Sequence, residues 1–312
     1  MNKKKYYCRI TSVSCNCESW EDYTIEDITY SSKMPLDKAD ALVAFYDPTQ
    51  ELLDFKGPKI WYTSEPSWHY HFNRHPIGKK LVKILSQSER LYYNNKDSKC
   101  RIPHTTYRGP LTLPRVSEVK PRALACVTNY GGKAWFINNQ IKLRNKMILS
   151  PEVDLYGSIK SWSSFRDFPA IWKKGAPKNF CGSAPGKSHN DIDFALFLSS
   201  YKVLVCLENC IEENYFTEKF VNAVRAGCIP IYHPHPSVKQ MYLTGAKWVD
   251  PADFNYSPEK TISYALAQNQ SEYRETNDKW IQSGVLDCTE ESYRHKIIHE
   301  VLKNKLQNPD WL

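Results

Sequence analysis

No stretch of this 312-residue sequence is apolar for long enough to cross a membrane. The longest apolar runs, at 42–46 and 203–207, have the length of β-strands. Lys3, Lys4 and Lys5 open the chain as a signal peptide would, but Arg9 and Thr11 interrupt before a hydrophobic region can form. A soluble chain is the expectation. No internal repeat and no low-complexity segment occurs. No long arginine-rich stripe occurs either. The 42 basic and 34 acidic residues leave a net charge of +8, with the lysines spread through the chain. Such mild basicity suits a polyanion such as a nucleotide diphosphate, or simply a solvated surface, and the scatter argues against nucleic acid. There are ten cysteines, yet no second Cys/His pair joins Cys206/Cys210 at a zinc-site spacing. Cys126, Cys206 and Cys228 lie in apolar segments and read as buried, reduced thiols.

What is present describes a globular protein. Hydrophobic residues make up 41% and charged residues 24%, and the length accommodates two ordinary domains. The 9 tryptophans and 20 tyrosines can stack on sugar faces, although most aromatics in any enzyme are core.

The first third alternates short β-like runs with polar stretches. ADALVAFY (39–46) reads as a buried strand ended by Asp47-Pro48, and KIWYT (59–63) as another. Pro66 pushes Glu65 out of the helical region, which makes 64–66 a strand-end loop. Three prolines among charges at 108–122 read as a linker, with the domain boundary near 118. The second half has a βα rhythm. Strands are expected at 123–128, 153–156, 201–207 and 228–232, and helices at 191–199 and about 217–226. Gly227 falls where a helix C-cap glycine belongs. Strands that are apolar throughout imply a parallel sheet covered on both faces, and ligands in such sheets bind at the strands' carboxyl ends. A last helix over 291–306 carries Tyr293, Ile297, Ile298, Val301 and Leu302 on one face.

The most informative segment is LENCIEENYFTEKFVNAVRAGCIPIYHPHPS (207–237). It reads as strand end, polar loop, helix start and strand, with Thr217 as N-cap and Glu218 and Lys219 in the first turn. A helix N-terminus beside a strand carboxyl end is an anion site. Lys219 there opposes the helix dipole, a penalty that a bound diphosphate would reverse. Glu218 is favourable in a first turn as a structural choice, and it can also accept hydrogen bonds from ribose hydroxyls. Glu65, in the strand-end loop, reads by itself as a solvated loop charge.

The sequence resembles the α1,3/α1,4-fucosyltransferases, glycosyltransferase family 10. Leu207-Glu208-Asn209, then Tyr215-Phe216-Thr217-Glu218-Lys219, then Ala226-Gly227 and Ile229-Pro230-Ile231 are similar to that family's signature. FLSSYKVLVC (197–206) and Val153-Asp154-Leu155-Tyr156-Gly157 extend the resemblance over most of the second half. It implies an α/β, GT-B architecture of two Rossmann-like domains facing across a cleft. Residues 1–118 would form the N-terminal, acceptor-side domain and 119–290 the C-terminal, GDP-fucose-binding domain. A helix in 291–312 can pack back on the N-terminal domain. The implied activity is inverting transfer of L-fucose from GDP-β-L-fucose to an N-acetylglucosamine-containing glycan, in α1,3 or α1,4 linkage, with no essential metal or other cofactor. The implied donor-binding residues are Asn209, Tyr215, Glu218, Lys219 and Arg144, with Lys142 competing for the last role. The implied general base is Glu65. Another donor sugar, or non-catalytic carbohydrate binding, is the alternative. A chain complete as it stands would be cytoplasmic, whereas a trimmed catalytic domain would come from the Golgi lumen. Where the family carries glycine after the IPI strand, this chain has Tyr232-His233-Pro234-His235, which alters that loop's contact with the donor.

Asp191-Ile192-Asp193 resembles a metal-binding D-x-D motif, but no apolar strand precedes it. Helix capping and a first-turn acid explain it better. The His69/His71 and His233/His235 pairs are read as extended segments, not as metal sites.

Overall fold

The structure is a computed structural model describing residues 4–12, 21–63, 75–86, 88–91, 115–127, 139–157, 177–186, 192–287 and 291–308. It divides into two compact units. One comprises Met1–Thr106 with Asp287–Leu312, and the other Tyr107–Leu286. The sequence reading drew its boundaries near 118 and at 290.

The first unit is built on a six-stranded sheet of β1 (Tyr6–Thr11), β2 (Tyr23–Ile25), β3 (Ile28–Ser31), β4 (Ala41–Phe45), β5 (Lys59–Tyr62) and β6 (Arg90–Leu91). The strand order is β2-β3-β1-β4-β5-β6. Only the β2–β3 hairpin is antiparallel. Every residue of β4 is buried, as a central parallel strand covered on both faces requires. Its side chains alternate between two cores. Ala41, Val43 and Phe45 join Cys8, Ile10 and Tyr62 on one face. Leu42 and Ala44 join Trp61 on the other, together with Leu52 of α1 (Gln50–Asp54) and Leu81 of α2 (Pro76–Ile84).

The second unit carries a five-stranded, all-parallel sheet in the order β11-β10-β7-β8-β9. In chain order the elements are β7 (Lys120–Val127), α3 (Asn139–Ile148), β8 (Val153–Gly157), β9 (Phe180–Gly182), α4 (Ile192–Ser199), β10 (Tyr201–Val205), α5 (Glu218–Arg225) and β11 (Ile229–Ile231). α6 (Pro236–Met241), α7 (Pro258–Ala267) and α8 (Gln270–Gln282) follow. Ala123, Leu155, Val203, Val205 and Ile229 form the sheet side of its core, against Met147 of α3 and Ile262 of α7. Two devices set the limits of α5. Thr217 caps its start, with the side-chain oxygen accepting from the Lys219 amide at 3.4 Å. Gly227 ends it at φ 72°, where a Cβ would meet the Nε atoms of Arg115 and Arg274 at 2.8 Å.

The last helix, α9 (Glu291–Gln307), belongs to the first unit. Ile297, Ile298, Val301 and Leu302 complete that unit's core, with Tyr293 and Leu306 packed beside them. Polar contacts fix its rotation: His299 Nδ1 lies 3.1 Å from the Tyr30 hydroxyl, and Arg294 donates to the Tyr62 hydroxyl at 3.2 Å. Among the described residues no helix is long and apolar enough to cross a membrane. The described cysteines are all free thiols, with Cys206 and Cys228 buried, Cys126 half-buried and Cys181 exposed.

Candidate functional site

The carboxyl ends of β7, β8 and β10 open onto a cavity of about 460 Å3 in the second unit. Cys126 and Val127 end β7 there, Tyr156 and Gly157 end β8, and Cys206 and Leu207 follow β10. Such a volume suits a small-molecule ligand, at the place where parallel α/β sheets bind one. The charged and amide groups on its wall come from two helices and one loop. Arg144 projects from α3, Glu218, Lys219 and Asn222 from the first turns of α5, and Asn209 from the loop between β10 and α5.

These groups are tied to one another. Arg144 is 4% exposed and donates to Asn209 Oδ1 at 2.6 Å. Beneath Lys219 lies the fully buried carboxylate of Glu208. Glu208 Oε1 accepts from the Thr217 amide at 2.9 Å and from the Tyr232 hydroxyl at 3.0 Å. Its Oε2 accepts from the Thr217 hydroxyl at 2.6 Å and lies 3.4 Å from Lys219 Nζ. Lys219 Nζ also donates to Thr217 Oγ1 at 3.0 Å and lies 3.4 Å from Glu218 Oε1.

Burial pulls the lysine's pKa down, but Glu218 and Glu208 outweigh it and hold Lys219 above its ordinary value. Burial raises the pKa of Glu208, against the opposing pull of Lys219 and the Thr217 hydrogen bonds. Burial and then Glu208 raise that of Tyr232. The cavity therefore presents an ammonium and a guanidinium beside the N-terminus of α5, an arrangement that can hold an anion.

Four of the residues singled out from sequence come together on this wall: Arg144, Asn209, Glu218 and Lys219. Lys142 is exposed, whereas Arg144 is buried against the cavity. Tyr215 is buried and does not line it. Glu65 lies outside the described residues, as do Asp191 and the His69/His71 pair. Asp193 is a first-turn acid of α4. His233 pairs with Asp250 at 2.7 Å, and His235 caps α6. Among the described residues, the side chains close enough to share a cation are Glu26, Asp27 and His299 of the first unit. The Lys303 ammonium already sits on Glu26.

Sequence reasoning passed over Glu208 as a functional residue, and Asn222 with it. A signal for Glu208 existed: it is an acid placed directly after a continuous apolar strand, where burial continues.

The family model for "Glycosyltransferase family 10 (fucosyltransferase) C-term" matches residues 126–297, just over half of the chain. The alpha-(1,3)-fucosyltransferase B of Drosophila melanogaster is 34% identical over 79 residues, 25% of this chain and 18% of that protein. The GDP-fucose protein O-fucosyltransferase 3 of Danio rerio is 30% identical over 86 residues, 27% of this chain and 19% of that protein. The aligned part thus spans under a fifth of either relative's length. The crystal structure of an α1,3-fucosyltransferase with GDP superposes with a TM-score of 0.51 at 15% identity, covering 97% of this chain and 93% of that one. The fold is of the GT-B class, with two Rossmann-like α/β units. With more than half of its length matched by the family model, the chain belongs to glycosyltransferase family 10, the fucosyltransferases.

Proposed function

We propose that this chain is an inverting fucosyltransferase. It transfers L-fucose from GDP-β-L-fucose to a hydroxyl of an N-acetylglucosamine-containing glycan, in α1,3 or α1,4 linkage, without an essential metal. The observation that carries this reading is the joining of Arg144, Asn209 and Lys219 around one helix N-terminus, inside the segment matched by the family model. The GDP-bound relative supports the choice of nucleotide.

In the reaction the acceptor oxygen bonds to the anomeric carbon as that carbon's bond to the diphosphate oxygen breaks, inverting β to α. Glu65 takes the acceptor hydroxyl's proton. Lys219 and Arg144 neutralise the departing diphosphate, which is the work a metal does in other transferases. Glu218 and Asn209 offer an acceptor and an amide to the nucleoside or sugar hydroxyls.

The acceptor has a second candidate. The Danio rerio relative acts by name on protein, so a protein hydroxyl belongs in the assay. The test measures GDP release from GDP-fucose with glycan acceptors, with hydroxyl-bearing protein acceptors, and with excess chelator. Turnover on the glycan that survives chelator, and that falls by about a hundredfold in Glu65→Gln, is the expected result. Turnover only on protein would move the acceptor assignment. Complete loss with chelator, restored by manganese, would overturn the metal-free mechanism. Turnover with a different nucleotide sugar alone would replace the donor.

A further inference from the structure

We infer that Glu208 is a positioning residue, whose carboxylate holds the Lys219 ammonium at the diphosphate end of the cavity. This rests on the donor reading given above. Four donors converge on the one buried side chain: the amide and hydroxyl of Thr217, the hydroxyl of Tyr232 and the ammonium of Lys219. A group with four donors around it is an acceptor on every side, which is the hydrogen-bonding pattern of an ionised carboxylate. Glu208 itself does not line the cavity. It acts through its neighbours.

The two oxygens divide the work. Oε1 binds the backbone of the α5 cap and the hydroxyl of Tyr232, the residue after β11, which is a structural task. Oε2 faces the Thr217 hydroxyl and Lys219 Nζ, and so anchors the ammonium. A free lysine has four rotatable bonds and loses its rotamer freedom on meeting a phosphate. One already held by Glu208 and Thr217 has lost much of that freedom before the ligand arrives. Lys219 carries three N–H donors: Glu208 and Thr217 engage two, and the third meets Glu218 Oε1, itself on the cavity wall, where a phosphate oxygen would compete for it.

Glu208→Gln separates the two tasks. Its amide oxygen can take the place of Oε1 and keep both structural bonds. Its NH2 then faces the hydroxyl, which can accept from it, and the ammonium, which cannot. The anchor becomes a repulsive contact. The experiment is a double-mutant cycle of Glu208→Gln with Lys219→Ala, reading GDP affinity by calorimetry and melting temperature on the same preparations. Expected is GDP binding weakened by about tenfold in Glu208→Gln, with little further loss when Glu208→Gln is added to Lys219→Ala.

Unchanged or tighter GDP binding in Glu208→Gln would overturn the proposal, since it would make Glu208 idle or a rival to the phosphate for Lys219. An equal loss in the Lys219→Ala background would also overturn it, by showing a structural role alone. If Glu208→Gln does not fold, Glu208→Asp, which keeps the charge but withdraws it by one methylene, takes its place with the same expectations. Failure of the unaltered chain to bind GDP would remove the donor reading and the role of Glu208 with it. Binding without coupling removes the role alone.

Discussion

Lys219 stands in the first turn of α5, where a cation works against the helix dipole. Two carboxylates offset that penalty in the free protein, Glu208 at 3.4 Å and Glu218 at 3.4 Å. The ammonium is therefore stable in place before any anion arrives. Lys219→Ala is expected to weaken GDP binding by about ten- to hundredfold, the scale of one lost charged hydrogen bond. Calorimetry on folded protein checks this, and unchanged affinity would move the phosphate site elsewhere.

His299 gives a second expectation at this scale. Its ring is 4% exposed and faces Tyr30, Glu26, Asp27 and Lys303. Burial holds its pKa below 6.5 in spite of Glu26. On acidification the unfolded chain takes up this proton first. The stability that His299 contributes is thus present above about pH 6.5 and lost as the pH falls through the folded value. Melting temperature should fall more steeply below that pH in the unaltered protein than in His299→Gln. Parallel curves would remove His299 from the acid response.

The residues on the cavity wall were legible where a local pattern carried them. Lys219, Glu218 and Asn209 lie within eleven residues of one another in a single motif. Glu208 is in the same motif, but one of its donors is Tyr232, which directly follows β11 and which the fold brings near. Tyr215 matched the pattern equally well and is buried outside that wall, since spacing in a loop does not say which side chains reach a cavity.

At the level of elements, strands were the easier part to read. β4 is buried on both faces and continuously apolar, and β10 is interrupted only by the half-buried Lys202, so both leave little choice of period. The bounds of α5 followed from Thr217 and Gly227, each a chemical requirement visible in one letter. Short strands such as β6 and β9 carry no such signal and are defined only by their partners. For α9 the apolar face could be read directly, and the structure shows which core it fills. Leu302 is fully buried there. Leu302→Ala should destabilise the first unit by about 2–5 kcal/mol, through lost burial and the cavity left behind. Denaturant unfolding measures it, and a cost near zero would mean that α9 is not part of that core.

For the molecule as a whole, each unit has its own hydrophobic core, and the residues assigned to GDP lie in one of them. A ligand that binds only the folded second unit stabilises that unit by mass action. GDP should therefore slow hydrogen exchange in β7, β10 and α5 far more than in β1 and β4. Equal protection of both sheets would show that the units open together, or that GDP contacts both.

The path of the chain has a consequence for how the protein is made. The first unit takes its strands from the beginning of the sequence and Ile297, Ile298, Val301 and Leu302 from the end. A ribosome working from the N-terminus releases β1 to β6 long before the helix that covers one face of their sheet. Through the synthesis of the intervening residues 107–286, that apolar face lacks the cover that α9 gives it. The second unit, whose sheet and helices are contiguous in sequence, can close first. Of the two units, the one whose strands are translated first is thus completed second.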